Sequence, residues 1–323
     1  MDDVQARKPS EHMSLSRVGV RGVEKVVRVR VGDSEELFFA EIDCFVDLGP
    51  EQKGAHMSRF PETVNEAIEE VVLAEAFKAE TLAQHIAERV RERQGGLRAE
   101  VRFTARYPEV KLTPASGLAT QEIYKLHGSA VASERGTRRL VGVEAQGMTA
   151  CPCAQEMLHS RSQARLEEQG FTSDEIERVF DAVPVATHNQ RGIGTLYVGS
   201  PETSAEAVDA RRLLAIVESS MSSEIYELMK RPDEADVVER AHRTPRFVED
   251  CVREMIRAAV EQFRPLGPEA FVMARQENLE TIHRHSVLAE RHGLLADLDA
   301  ELAGGAAARH VTRREWLEGP TPP

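Results

Sequence analysis

The chain has no apolar run approaching the ~20 residues that span a bilayer, which excludes a membrane-crossing helix. Its first ten residues, MDDVQARKPS, lack the apolar stretch and small-residue cleavage site of a secretory signal, so a cytoplasmic location is expected. Four cysteines in 323 residues are too few for a disulfide framework, and two of them, Cys151 and Cys153, sit one residue apart. In a reducing compartment that pair points to thiol or metal chemistry. Positive charge is also scarce. With 41 Lys and Arg against 54 Asp and Glu the formal charge is −13, which argues against sequence-independent nucleic-acid binding, because that affinity comes from basic side chains displacing counterions. A small polyanion can still bind where positive charge is local. No self-similarity relates the two halves, so an internal repeat has to be read from the order of elements alone.

What is present is a globular composition, 41% hydrophobic and 29% charged, long enough for one large domain or two ordinary ones. Alternation with a period of two predicts strands at Val26–Val31 and Glu36–Val46. From Pro61 to Arg93, Val64, Ile68, Val71, Val72, Ala76, Leu82, Ile86 and Val90 recur at three- and four-residue steps, which predicts helix. Strands resume at Ala99–Tyr107 and Glu122–Val131, separated by a predicted loop bearing Pro108, Pro114 and Gly117. The second half repeats the order: a strand at Arg138–Ala145, helical periodicity through Phe180, and a strand at Ile193–Val198. Helices follow at Ala205–Glu218, Ala235–Arg240 and Pro245–Phe263, and strands at Ala270–Ala274 and near Thr281–Leu288. The Gly-, Ala- and Pro-rich segment beyond Gly304 reads as a loosely attached tail.

Five segments carry residues with chemistry. In Gly147-Met148-Thr149-Ala150-Cys151-Pro152-Cys153 a proline fixes the backbone between two thiols just past a strand end. Two small buried side chains are the plain alternative to a reactive or metal-binding pair. Thr187-His188-Asn189-Gln190-Arg191-Gly192 packs an imidazole, two amides and a guanidinium into a loop, a density of polar groups suited either to a site or to a solvated turn. In Glu280-Thr281-Ile282-His283-Arg284-His285 the two histidines would share a face if the chain is extended. Glu234, Glu249 and Asp250 follow Pro232 and Pro245, where helix starts favour carboxylates whether or not they also bind something. Lys53-Gly54-Ala55-His56-Met57-Ser58-Arg59-Phe60 opens the first long helix with a local positive charge that suits an anion or a subunit contact.

Together these segments resemble the type IB GTP cyclohydrolases and the related archaeal GTP cyclohydrolases of the methanopterin pathway, over about residues 17 to 290. KGAHMSRF, GMTACPC, THNQRG, KRPDE, FVED and ETIHRH occur in that family's order. The resemblance implies an α+β tunnelling fold: tandem units of antiparallel sheet with helices packed on one face. The expected boundaries are a flexible segment at 1–16, units at 17–135 and 136–303, and a flexible tail at 304–323. It also implies a homotetramer with interfacial active sites and a divalent metal ion, Mn, Fe or Zn. By motif, Cys151, His188 and Glu234 correspond to metal ligands, with Cys151 also catalytic, and Glu280 and His283 to acidic and histidine positions near the metal. His285 stands as the alternative to His283. Glu249 corresponds to the carboxylate that anchors guanine, and Arg59, Arg191 and Lys230 are candidates for the triphosphate.

The implied reaction is hydrolysis of the guanine imidazole ring of GTP, with formate released. The expected product is 7,8-dihydroneopterin triphosphate, the first step towards pterins and tetrahydrofolate. The long helical stretch between Cys153 and His188 resembles the archaeal branch instead, whose product is the 2′,3′-cyclic phosphate. Competing readings are a deazapurine enzyme of the same fold, which would use a cysteine nucleophile with NADPH and no metal, and a non-catalytic purine- or metal-binding protein.

Overall fold

The computed structural model describes residues 4–31, 34–71 and 79–319; Val72 and Ala76 of the predicted helical stretch lie outside them. Strands β1 (Leu15–Val31) and β2 (Ser34–Leu48) are followed by helices α1 (Arg59–Val71) and α2 (Ala79–Gln94), then β3 (Arg98–Leu112) and β4 (Ala119–Ser133). The second half runs β5 (Gly136–Ala150), α3 (Pro152–Glu168), α4 (Ser173–Ala182), β6 (Asn189–Ser200), α5 (Ala210–Ser219), the short β7 (Ser223–Glu224), α6 (Arg231–Arg243) and α7 (Val248–Phe263). It closes with β8 (Phe271–Leu279), β9 (Val287–Leu294), α8 (Leu295–Leu302) and α9 (Arg313–Glu318). All strands join one antiparallel sheet in the order β1-β2-β3-β4-β5-β6-β8-β9, with β7 paired to β5. The chain is α+β, with long strands from one half continuing directly into those of the other through the β4–β5 pair.

Alternation decides which side chains meet the helices. Ile42, Cys44 and Val46 of β2, Val101 and Phe103 of β3, Val141 and Val143 of β5, Leu196 and Val198 of β6, and Val272 and Ala274 of β8 all face one way. They bury a single core with Leu82 and Ile86 of α2, Leu213 and Val217 of α5, and Met255 and Ala259 of α7. Residues on the alternate positions of β4, β5, β6 and β8, namely Val131, Leu140, Tyr197 and Phe271, form a second cluster on the opposite face.

That second cluster corrects two expectations. The segment beyond Gly304 is not merely a loose tail, because α9 packs Trp316 and Leu317 against these four residues. Trp316 Nε1 donates to the Glu269 carbonyl at 2.9 Å, and the indole stacks on Phe271. Nor do all helices lie on one face, since α9 covers the side away from α2, α5 and α7. Pro108 is likewise in a strand, paired with Ile123, and the loop starts only at Thr113. β3 pairs with β2 only as far as Ala105, so Pro108 falls where the missing N–H breaks no ladder. The predicted strand at Thr281–Leu288 is a bend until β9 begins at Val287.

Candidate active site at the β5–β6–β8 rim

Cys151 follows the last residue of β5 and is the N-cap of α3, with extended backbone and Pro152 at the first helical position. Its side chain makes no capping bond, which leaves the thiol available at a helix end that favours negative charge. The β5–β6 ladder ends at Ala150–Asn189, and one further bond, from Cys151 N to the His188 carbonyl at 3.1 Å, carries it outward. Thr187 Oγ1 donates to the Cys151 carbonyl at 3.0 Å. On the other side, β6 pairs with β8 as far as Arg191–Leu279, and Thr281 Oγ1 donates to the Asn189 carbonyl at 3.0 Å. Three adjacent strands thus deliver Cys151, His188 and Glu280 to one rim of the helix-bearing face.

His188 Nδ1 lies 3.8 Å from Glu280 Oε2, with side chains 15% and 7% exposed. Among the described residues neither atom has a hydrogen-bond partner. Two buried, unpaired polar atoms facing each other are costly in a finished core and suit a site that receives a ligand. An imidazole nitrogen, a carboxylate oxygen and a neighbouring thiol are donors appropriate to a divalent transition metal. Among the described residues, however, no three His, Cys, Asp or Glu side chains are gathered closely enough to hold an ion by themselves. The pair fits a metal as part of a set that is still incomplete.

A family model for type I GTP cyclohydrolase folE2 matches residues 1–289. The chain belongs to that family. GTP cyclohydrolase MptA of Methanococcus maripaludis is 42% identical over 309 residues, covering 93% of this chain and 98% of that protein. MptA of Methanocaldococcus jannaschii is 39% identical over 306 residues, with 93% and 97% covered. Among solved structures, a hyper-thermostable AgUricase mutant superposes with a TM-score of 0.50 at 10% identity, covering 87% of this chain and 92% of that one. That likeness concerns the fold alone. Every candidate site residue of this folE2-family member falls inside the matched span, whereas α8 and α9 lie beyond it.

The remaining candidates are placed less tightly. Glu249 is exposed in the first turn of α7, and the Arg246 N–H just before that helix donates to the Ala150 carbonyl at 3.0 Å, so this turn adjoins Cys151. His283 and His285 are both exposed, with rings stacked 5.2 Å apart, so the bend keeps them together. Glu234 and Lys230 are exposed at the start of α6, away from the bonds that tie Cys151, His188 and Glu280 to one rim. Arg59 donates from Nη1 to the Arg93 carbonyl at 3.0 Å, at the far end of α2. Arg191 donates to Gln146 Oε1 at 3.0 Å and, by alternation from Gln190, points to the sheet face opposite His188.

Other polar anchors were not singled out by sequence, some fixing the start of α6 and others the loop before β6. Asp233, fully buried beside exposed Glu234, accepts from Ala115 N, Ser116 N, Ser116 Oγ and Lys230 N at 2.6–3.0 Å. Burial pushes its pKa up, but these donors outweigh burial and hold the carboxyl well below the usual carboxylate range. Gln155 Nε2 donates to the Val185 and His242 carbonyls at 2.7 and 2.6 Å, and the His242 ring reaches the Thr187 carbonyl at 3.2 Å. These bonds fix the loop that carries His188. The helix-start pattern after Pro232 is a usable signal for Asp233; nothing local marks Gln155 or His242.

Proposed function

We propose that this protein opens the imidazole ring of GTP by hydrolysis and releases formate, at a centre built on Cys151, His188 and Glu280. The observation that carries the reading is the buried His188–Glu280 pair, its facing atoms without hydrogen-bond partners among the described residues, at the rim where the Cys151 backbone bonds to His188, within a folE2-family chain. Cys151 and His188 would hold a divalent metal ion (Mn, Fe or Zn), with Glu280 or Glu234 as carboxylate donor. When bound, such an ion supplies Lewis acidity that makes water a usable nucleophile near neutral pH. Glu249 at the α7 N-terminus binds guanine through the two adjacent donors of its Watson–Crick edge, which adenine does not present together. His283, on the bend tied to Asn189, takes and returns protons at nitrogens 7 and 9 as carbon 8 is attacked. Lys230, Arg59 and Arg191 are the cations for the phosphates.

Their separation favours assembly. Arg59 and Arg191 do not join the rim within one chain, while the face opposite the helices exposes Val26, Phe39 and Ile123 around a cavity of 830 Å³. We read the two halves as tandem tunnelling-fold units and the working enzyme as a homotetramer whose neighbouring subunits complete each site. For the product, the α3–α4 insertion and the near full-length match to MptA favour the 2′,3′-cyclic phosphate over the triphosphate expected from the motifs.

The test is anaerobic purification followed by GTP with Mn, Fe or Zn in turn, with formate and pterin fluorescence assayed after oxidation. Absence of formate with every metal sinks the reading. Tight purine or metal binding without formate would leave the non-catalytic alternative. Phosphate analysis then separates cyclic phosphate from triphosphate, and sedimentation gives the oligomeric state.

A further inference from the structure

Behind the candidate centre the sheet carries a row of buried polar side chains that the roles above leave unused. Thr149 is paired with Gln190 across β5–β6, and the β6–β8 register places Glu280 next in the same row. The next rows inward bring Gly147, Gly192 and Asn278 together, then Ala145, Gly194 and Gln276. Both β6 positions are glycine, and a Cβ at Gly192 would lie 2.4 Å from Gln276 Nε2 and 3.2 Å from Asn278 Oδ1. The amides of β8 therefore lie across β6 in space that only glycine leaves open. Gln276 Nε2 donates to Asn278 Oδ1 at 3.0 Å.

Thr149, Gln190, Gln276 and Asn278 are 0%, 5%, 0% and 1% exposed. Nevertheless, among the described residues, Thr149 Oγ1, Gln190 Oε1 and Gln276 Oε1 have no partner, and neither do His188 Nδ1 and Glu280 Oε2 in front of them. The two amide oxygens and an ionised carboxylate oxygen accept but do not donate, so they cannot satisfy one another. Leaving several such atoms dry costs far more than binding water among them, and a buried water commonly takes two to four such partners. We propose that Thr149, Gln190 and Gln276 form a polar floor holding ordered water behind the centre. Through that water Thr149 and Gln190 are positioning residues for the Glu280 carboxylate. The role assigned to Glu280 rests on the function proposed above; the water-holding floor does not.

Two measurements on the full-length protein test it. A crystal structure at a resolution that places water should show one within about 2.7–3.2 Å of Thr149 Oγ1 and of Gln190 Oε1 or Glu280 Oε2. Direct pairing of these side chains with no water between them overturns the floor. In kinetics, Thr149→Val, which removes only the hydroxyl's bonding, should lower kcat about tenfold with KM within about twofold and metal content unchanged. Thr149→Ser should restore kcat to within about threefold of the parent. Full activity in Thr149→Val, or a loss confined to KM or to metal content, overturns the positioning role. Should that variant not fold, Gln190→Met removes the acceptor at nearly constant length and is read in the same way. A parent protein that releases no formate refutes the proposed function, while the crystallographic arm still decides the floor.

Discussion

The β5–β6–β8 part of the sheet is finished in opposite ways on its two faces. On the helix-bearing face, at the rim, His188, Glu280, Thr149 and Gln190 keep buried polar atoms without partners among the described residues. On the other face α9 closes over apolar residues, with Trp316 stacked on Phe271, its N–H bonded to the Glu269 carbonyl, and the Arg138 guanidinium over its ring. Among the described residues, the first rim gathers four such atoms, whereas the cluster under α9 is apolar. If the first is the reacting site proposed above and the second a structural seal, substitutions should separate activity from stability accordingly.

The largest effect is expected from Cys151→Ala, which should reduce formate release by on the order of 10²-fold or more while leaving the unfolding midpoint nearly unchanged. Retention of full activity would remove Cys151 from the site. Next, Trp316→Ala should cost about 3 kcal/mol in urea unfolding, because it empties a packed aromatic pocket, yet turnover at low temperature should stay within about twofold. A large loss of turnover in the folded variant would mean that the two faces are coupled. Gly192→Ala sits between these cases. Its Cβ would push into Gln276, so both stability, by about 1–2 kcal/mol, and turnover should fall together. No change in either on Gly192→Ala would show that the polar row can yield.

The remaining effect is a pH dependence on the closed face. Burial pushes the His127 imidazole down from 6.5 to about 4. Between those values the unfolded chain takes up a proton that the folded chain resists, so stability should rise with pH across that window. The contribution is fully present above pH 6.5 and is lost as pH falls towards 4. Thermal midpoints measured from pH 4 to 7 should show this slope, and His127→Gln should flatten it.

Legibility in sequence followed the range of the interactions. The strands and the helix-start pattern after Pro245 are local, and they were readable from alternation and from proline followed by carboxylates. The pairing of CPC with THNQRG was visible only as a family resemblance, because those segments are separated by α3 and α4. Trp316 looked like part of a tail since its partners, Phe271 and Leu140, are far away in sequence. Pro108 looked like a breaker because its harmlessness depends on where β2 stops pairing. Arg191 and Gln190 are neighbours in one motif, yet the pleat sends them to opposite faces.

By itself, the sequence determined the α+β character and the segments from which a folE2-family site would be drawn, since periodicity and residue type are local properties. Tertiary structure alone decided that Cys151, His188 and Glu280 share one rim, that Asp233 is the buried anchor beside exposed Glu234, and that the last helix closes the opposite face. Those outcomes depend on strand register and on which polar atoms find partners across the sheet, and neither quantity is written in any short stretch of the chain.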